Sequence, residues 1–173
     1  MEFNRLSILE VILVKPTLFE DHRGFFMESY HIDKFHSGGI KCKFVQDNHA
    51  KSVQNTLRGL HFQVRFPQAK LIQCLKGKVF DVAVDIRQDS PSYGQWVGEE
   101  LSEKNKYQLF IPKGFAHGYY VMSDTAEISY KCSDIYRPDD EQGIIWNSPE
   151  IGIKWPGLNP ILSEKDANLK IKW

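Results

Sequence analysis

The sequence predicts an all-β protein, a sandwich or a jelly-roll barrel, with short helices near the C-terminus. Three observations predict it. Short runs rich in Val, Ile, Phe and Tyr recur along the whole chain. Turn residues break them at short intervals, notably Lys76-Gly77, residues 90–94 (SPSYG) and Lys113-Gly114. Residues 79–87 (VFDVAVDIR) alternate cleanly, as a pleated strand with two different faces must. Many short strands in one chain are the mark of sandwiches and jelly rolls.

In order, the expected strands are 11–15 (VILVK), 24–30 (GFFMESY), 44–49 (FVQDNH) and 56–63 (TLRGLHFQ). Next come 69–75 (AKLIQCL), 78–87, 95–101 (QWVGEEL), 108–112 (QLFIP), 118–122 (GYYVM) and 127–132 (EISYKC). Residues 32–36 suit a single helical turn. Residues 163–168 suit a short C-terminal helix, with Ser163 as its cap and Asp166 three residues on. In the strand at 78–87, Phe80, Val82, Val84 and Ile86 share one face, and Asp81, Ala83, Asp85 and Arg87 the other. A solvent-facing polar side and a side turned into a barrel mouth fit this pattern equally well.

The chain has 173 residues, enough for one domain over 1–173 that buries roughly 70% of its unfolded surface. Lys+Arg and Asp+Glu both number 22, which argues against a generic nucleic-acid or membrane binder but not against a local basic pocket. Zero net charge also leaves little repulsion against self-association. The three cysteines, Cys42, Cys74 and Cys132, have no CxxC or Cys/His spacing and read as buried or partly buried thiols. No secretory signal and no membrane-length apolar run is present, so a cytoplasmic protein is expected.

Chemistry concentrates in two segments. TLRGLHFQ and IPKGFAHGY each set one histidine, His61 or His117, beside glycine in an apolar run, and Lys70 lies between them. Imidazoles, a lysine and carboxylates converging in a small barrel suit proton transfer on a polar ligand. A cupin-type metal site is the alternative. It typically draws on an H-x-H pair, yet positions 59 and 63 are Gly and Gln, so the first cluster supplies one imidazole. A metal-free site is favoured. Strict alternation puts Arg58 and His61 on opposite faces unless Gly59 marks a bulge that re-aims one of them. A lone strand histidine is usually structural, strand-edge cations such as Arg58 and Lys70 are usually solvated, and Tyr130 reads first as a packed aromatic.

Several of these segments together resemble the dTDP-4-dehydrorhamnose 3,5-epimerases. QDNHAKS (46–52), LRGLHFQ (57–63), the lone Lys70, VFDVAVDIR, SPSYGQW (90–96), IPKGFAHGY and LSEKD (162–166) stand in that family's order and spacing. DHRGFFMESY (21–30) and GIIWNSPEIGIKWP (143–156) extend the resemblance over nearly the whole chain. It implies a cupin-like jelly roll, a homodimer with exchanged strands, and inversion of carbons 3 and 5 of dTDP-4-dehydro-6-deoxy-D-glucose in dTDP-L-rhamnose biosynthesis. It implies no metal or other cofactor, and a nucleotide sugar rather than nucleic acid or membrane as ligand. By the same resemblance His61 is the base, Asp166 the carboxylate that orients it, Tyr130 the acid on the opposite face, and Lys70 the cation at the ketone oxygen. Arg23, Glu28, Gln46, Asn48, Arg58, His117, Glu141 and Lys165 fall where the family contacts the nucleotide sugar or shapes its pocket. Two departures, Ala50 for a common serine and Tyr119 for a frequent Phe, remove no catalytic group.

Three other readings remain beside it: a single-carbon epimerase or ketoisomerase of the same fold, a metal-dependent cupin enzyme, and a silent sugar-binding domain. Retention of His61, Lys70, Tyr130 and Asp166 together speaks against the last.

Overall fold

A computed structural model describes residues 1–170; the end of the expected domain, 171–173, lies outside the described residues. The chain runs β1 (Glu2–Arg5), β2 (Ile12–Lys15), β3 (Leu18–Asp21), β4 (Gly24–Met27), α1 (Ile32–Ser37), β5 (Gln46–Val53), β6 (Leu57–Gln63) and β7 (Lys70–Lys76). It continues through β8 (Lys78–Asp85), β9 (Trp96–Ser102), β10 (Gln108–Ile111), β11 (Phe115–Val121), β12 (Thr125–Cys132), β13 (Glu141–Gly143) and α2 (Glu164–Ala167). A six-stranded sheet has the order β1-β2-β10-β7-β12-β5, and a five-stranded sheet the order β13-β6-β11-β8-β9. All their pairings are antiparallel. The two sheets face each other as a cupin-like jelly roll.

Three apolar layers hold this arrangement. Between the sheets lie Ile72, Leu109, Ile111 and Ile128 from the larger sheet and Val79, Ala83, Leu101 and Val121 from the smaller. On the outer face of the larger sheet α1 lays Phe35 against Ile12, Val14 and Leu71. On the outer face of the smaller sheet the segment after β13 brings Ile144, Ile151 and Trp155 onto Leu60, Val82 and Val84. A fully buried Phe, Ile or Leu contributes about 1.5–3 kcal/mol. The outer layers therefore secure the sheets and leave their inner faces free to carry polar groups at one end.

All ten expected strands are present, with shifted ends: β5 runs on to Val53, β11 starts at Phe115, and β4 stops at Met27. Three strands, β1, β3 and β13, lie where none was expected. β13 (EQG) is too short and polar to show a period, and its extended form comes from pairing with β6. The helical turn at 32–36 is a six-residue helix, and one helix thus stands near the N-terminus as well. Ser163 caps α2 through its hydroxyl, which accepts from the Asp166 N–H at 3.1 Å. The alternating strand turns its polar side inward: Asp81 and Asp85 are both 0% exposed. Asp85 serves a turn, accepting from Arg87, Ser90 and Ser92, while Asp81 lies behind the pocket described below.

Two other features bear on function. β3 and β4 form a separate two-stranded hairpin whose Phe19, Phe25 and Phe26 are 62%, 50% and 69% exposed. Among the described residues no helix is long and apolar enough to cross a membrane.

Candidate active site

Gly59 makes the site possible. It has φ +106°, a conformation that glycine adopts freely. Across the β6–β11 pairing His117 opposes His61 and Tyr119 opposes Arg58, so three steps along β6 match two along β11. This is the bulge suspected from the sequence. It cancels the alternation that would send Arg58 and His61 to opposite faces, and both line one cavity. A Cβ on Gly59 would lie 2.5 Å from the His117 carbonyl oxygen, and one on Gly118 would lie 2.7 Å from that of Arg58. The two strands approach closely because both are glycine there.

The cavity, about 320 Å³, opens at one end of the barrel. Its first wall, on the smaller sheet, carries Arg58, His61, His117 and Glu141. Its second wall, on the larger sheet, carries Asn48, Lys70 and Tyr130. Lys70 opposes Cys132 and Tyr130 opposes Ile72 across β7–β12, which puts Lys70 and Tyr130 on the same inward face. α2 closes the rim with Lys165 and Asp166.

His61 stands between two carboxylates. Its Nε2 is 2.6 Å from Asp166 Oδ1, and its Nδ1 is 3.6 Å from Glu141 Oε1. Burial works against an ionised Asp166, yet the bonds from His61, Ser163 and the Gly59 N–H outweigh it and hold the carboxyl below its ordinary range. Glu141 is likewise lowered against the pull of burial by Lys165, Tyr136 and His61. Its Oε2 accepts from the Tyr136 hydroxyl at 2.7 Å and pairs with the Lys165 ammonium. The register explains its place: Glu141 opposes Gln63 and Gly143 opposes His61, so Glu141 lies on His61's face one pair along. The buried Asp140 beside it anchors that turn, accepting from the Arg65 and Phe66 N–H groups at 2.9–3.1 Å.

His117 Nε2 lies 3.0 Å from both Asp81 oxygens. Burial lowers its pKa, and Lys70 and His61 add to this against Asp81, so His117 is neutral at pH 7. Lys70 is also lowered by burial, against the pull of Cys132, Glu141 and Asp81. Tyr130 is pushed up to about 12, chiefly by burial, so its phenol keeps its proton at neutral pH. An imidazole, a lysine and a protonated phenol thus line one cavity.

Of the twelve expected site residues, nine line this cavity: Asn48, Arg58, His61, Lys70, His117, Tyr130, Glu141, Lys165 and Asp166. Gln46 stands behind them, donating to Asn48 Oδ1 at 3.1 Å and accepting from the Tyr136 N–H at 2.8 Å. Arg23 and Glu28 lie apart. Arg23 is at the turn of the β3–β4 hairpin, paired with Asp21, and Glu28 pairs with Lys34. Both departures noted above, Ala50 and Tyr119, line the cavity. Tyr119 meets the Ser52 hydroxyl at 3.3 Å, and Arg58 donates to the same hydroxyl at 3.0 Å. Sequence reasoning missed Tyr136 and the pairing of Asp81 with His117. Tyr136 sits in an irregular stretch, SDIYRPDD, with no period to flag it. Asp81 was visible on the polar face of its strand, but its partner is remote in sequence. Among the described residues no group of three or more His, Cys, Asp or Glu side chains is placed to hold a metal ion.

The chain matches the family model described as dTDP-4-dehydrorhamnose 3,5-epimerase over residues 5–172. It is 52% identical to a dTDP-4-dehydrorhamnose 3,5-epimerase of Pseudomonas aeruginosa, covering 98% of this chain and 95% of that one. The fold matches a dTDP-6-deoxy-D-glucose-3,5-epimerase of Legionella pneumophila, solved in complex with dTDP-4-keto-L-rhamnose. The TM-score is 0.95 at 47% identity, with 98% of this chain and 92% of that one covered. It also matches a dTDP-4-dehydrorhamnose 3,5-epimerase of Bacillus anthracis, solved with TDP and PPi bound, at TM-score 0.96, 42% identity and 99% coverage of both chains. With its bulged histidine strand and two-walled cavity, the chain belongs to the dTDP-4-dehydrorhamnose 3,5-epimerase family.

Proposed function

We propose that this chain inverts carbons 3 and 5 of dTDP-4-dehydro-6-deoxy-D-glucose, within dTDP-L-rhamnose biosynthesis. One observation carries the reading: His61, backed by Asp166, stands on one wall of the cavity, and Lys70 and Tyr130 stand on the other. Inversion requires a base and an acid on opposite faces of the same carbon, and this division of the walls supplies them.

The carbon-4 ketone makes the hydrogens on carbons 3 and 5 acidic. Asp166 holds His61 Nε2, which leaves Nδ1 to take the proton. The C–H electron pair moves into the ring and the ketone oxygen becomes an enolate. The Lys70 ammonium neutralises that charge where little water competes, the type of stabilisation worth most in a dry site. Tyr130 then gives its phenolic proton to the opposite face and the ketone re-forms. Arg58 and Lys165 supply positive charge for the diphosphate, despite a neutral chain. No step calls for a metal or other cofactor.

The functional unit in this reading is a cytoplasmic homodimer. The exposed Phe19, Phe25 and Phe26 support it, since an isolated hairpin with such an apolar face gains by being covered. Arg23 and Glu28 then complete the neighbour's pocket rather than their own. The test is incubation with the 4-keto sugar in deuterated water. Deuterium at carbons 3 and 5 and an L-configured product are expected. Label and inversion at one carbon alone would make it a single-carbon epimerase, and loss of activity to a chelator with recovery on adding a divalent metal would overturn the metal-free reading.

A further inference from the structure

Every inversion leaves the base one proton richer and the acid one proton poorer. An enzyme that inverts two carbons of one bound sugar with one base and one acid has to move that proton back before the second inversion. This need rests on the epimerase reading above, and two side chains beside His61, Glu141 and Tyr136, are placed to serve it.

The proton taken from carbon sits on His61 Nδ1, because Nε2 is held by Asp166 at 2.6 Å. The carboxylate that pairs with Nδ1 is Glu141, its Oε1 at 3.6 Å. The other oxygen of the same carboxylate accepts from the Tyr136 hydroxyl at 2.7 Å. Tyr136 lines the cavity together with Tyr130 and carries no role in the reaction described so far. Its place is fixed, since its N–H donates to Gln46 Oε1 at 2.8 Å and Gln46 in turn holds Asn48. The Glu141 side chain is 10% exposed and Asp166 only 4%, while Lys165, which pairs with Glu141, is 54% exposed. Glu141 is thus the more exposed of the two carboxylates that flank the base, and its partner Lys165 reaches solvent.

We propose that Glu141 and Tyr136 form a relay that returns the proton from His61 to Tyr130 between the two inversions. His61 Nδ1 gives its proton to Glu141 Oε1. Tyr136 gives its phenolic proton to the Tyr130 phenolate, and the Glu141 carboxyl turns to bring the proton it received to the Tyr136 oxygen and restores it. One proton leaves His61 and one arrives at Tyr130; Glu141 and Tyr136 end as they began, and no outside oxidant, reductant or acid is consumed.

The relay separates the second inversion from the first, and that distinguishes it from a role in substrate binding. Glu141→Gln keeps the shape and the hydrogen bond from Tyr136 but cannot carry a proton. Tyr136→Phe keeps the ring and deletes the hydroxyl. With each variant and the parent side by side, the 4-keto sugars formed early in turnover are trapped by reduction and resolved by stereochemistry. The ratio of singly to doubly inverted sugar is expected to rise at least tenfold in both variants. An unchanged ratio, with both inversions slowed together or not at all, overturns the relay and leaves Glu141 and Tyr136 as binding residues. If Glu141→Gln fails to fold, Tyr136→Phe decides alone, since it removes one hydroxyl from a half-exposed side chain. If the parent inverts both carbons and the ratio holds, the relay alone falls; if the parent inverts neither, the epimerase reading falls with it.

Discussion

Replacing Tyr130 by Phe divides the reaction at its midpoint. Tyr130→Phe removes one hydroxyl and keeps the ring packed against the core between the sheets, so the fold should change by about 1 kcal/mol or less. The chemical effect is much larger. With its pKa pushed up to about 12, chiefly by burial, the resting phenol keeps its proton at pH 7, so the parent starts the reaction with a loaded acid. A positioned general acid is worth roughly 10²–10⁴-fold, and inversion should fall by that factor. Proton removal needs His61 and Lys70, which remain. The enolate then regains its proton from the His61 wall, in the original configuration. Proton NMR in deuterated water follows both events at once: loss of the carbon-3 and carbon-5 signals reports exchange, and the product's coupling constants report inversion. Exchange near the parent rate with inversion down 10²-fold or more is expected. Inverted sugar at the parent rate would make Tyr130 a packed aromatic. Loss of both events in a folded, substrate-binding variant would mean that Tyr130 helps to form the enolate.

His61→Asn should stop exchange and inversion together, a loss of roughly 10²–10⁴-fold in the same assay. Asp166→Asn keeps the imidazole and removes one charged hydrogen bond of about 1.5–3 kcal/mol, so about 10–100-fold is expected, and an equal loss in the two variants would refute the division of roles. The depressed Asp166 carboxyl also links stability to pH: its contribution is present above the ordinary value of 3.8 and is lost as pH falls through its lower folded value, so Asp166→Asn should flatten the acid side of a melting-temperature profile. Burial lowers the pKa of Lys70 from 10.5, so the cation is lost, and kcat/KM falls, at a pH below that value; Lys70→Met should remove this alkaline limb, and a limb that survives belongs to another group. Phe19→Ser with Phe26→Ser should convert a dimer to a monomer in analytical ultracentrifugation and lower activity, since Arg23 is then withdrawn from the neighbour's pocket; full activity as a monomer would contradict the exchange.

The parts of this protein that could be read from its sequence are those whose cause is local. Val79 to Arg87 alternates because a strand with two different faces has to, and Ser163 caps α2 through an atom three residues away. The relation of His61 to Arg58 was readable only as an alternative, because a bulge depends on the partner strand as much as on Gly59. The absence of a Cβ at both Gly59 and Gly118 is what lets the strands close, and either residue alone looks like an ordinary strand glycine. β13 carries no signal of its own, yet its three residues place Glu141 beside His61 across a sequence gap of eighty. Asp81 and Glu141 are coupled to their partners by strand register, which no single segment encodes. The catalytic types were thus visible one by one, whereas the electrostatics that govern them arise from pairings between distant segments. Those pairings also set the function. His61 has a single strong partner at Nε2 and a second carboxylate 3.6 Å from Nδ1, and the proposed base and relay rest on that difference. A histidine in the same strand with both nitrogens saturated would be the structural residue that such a position usually holds.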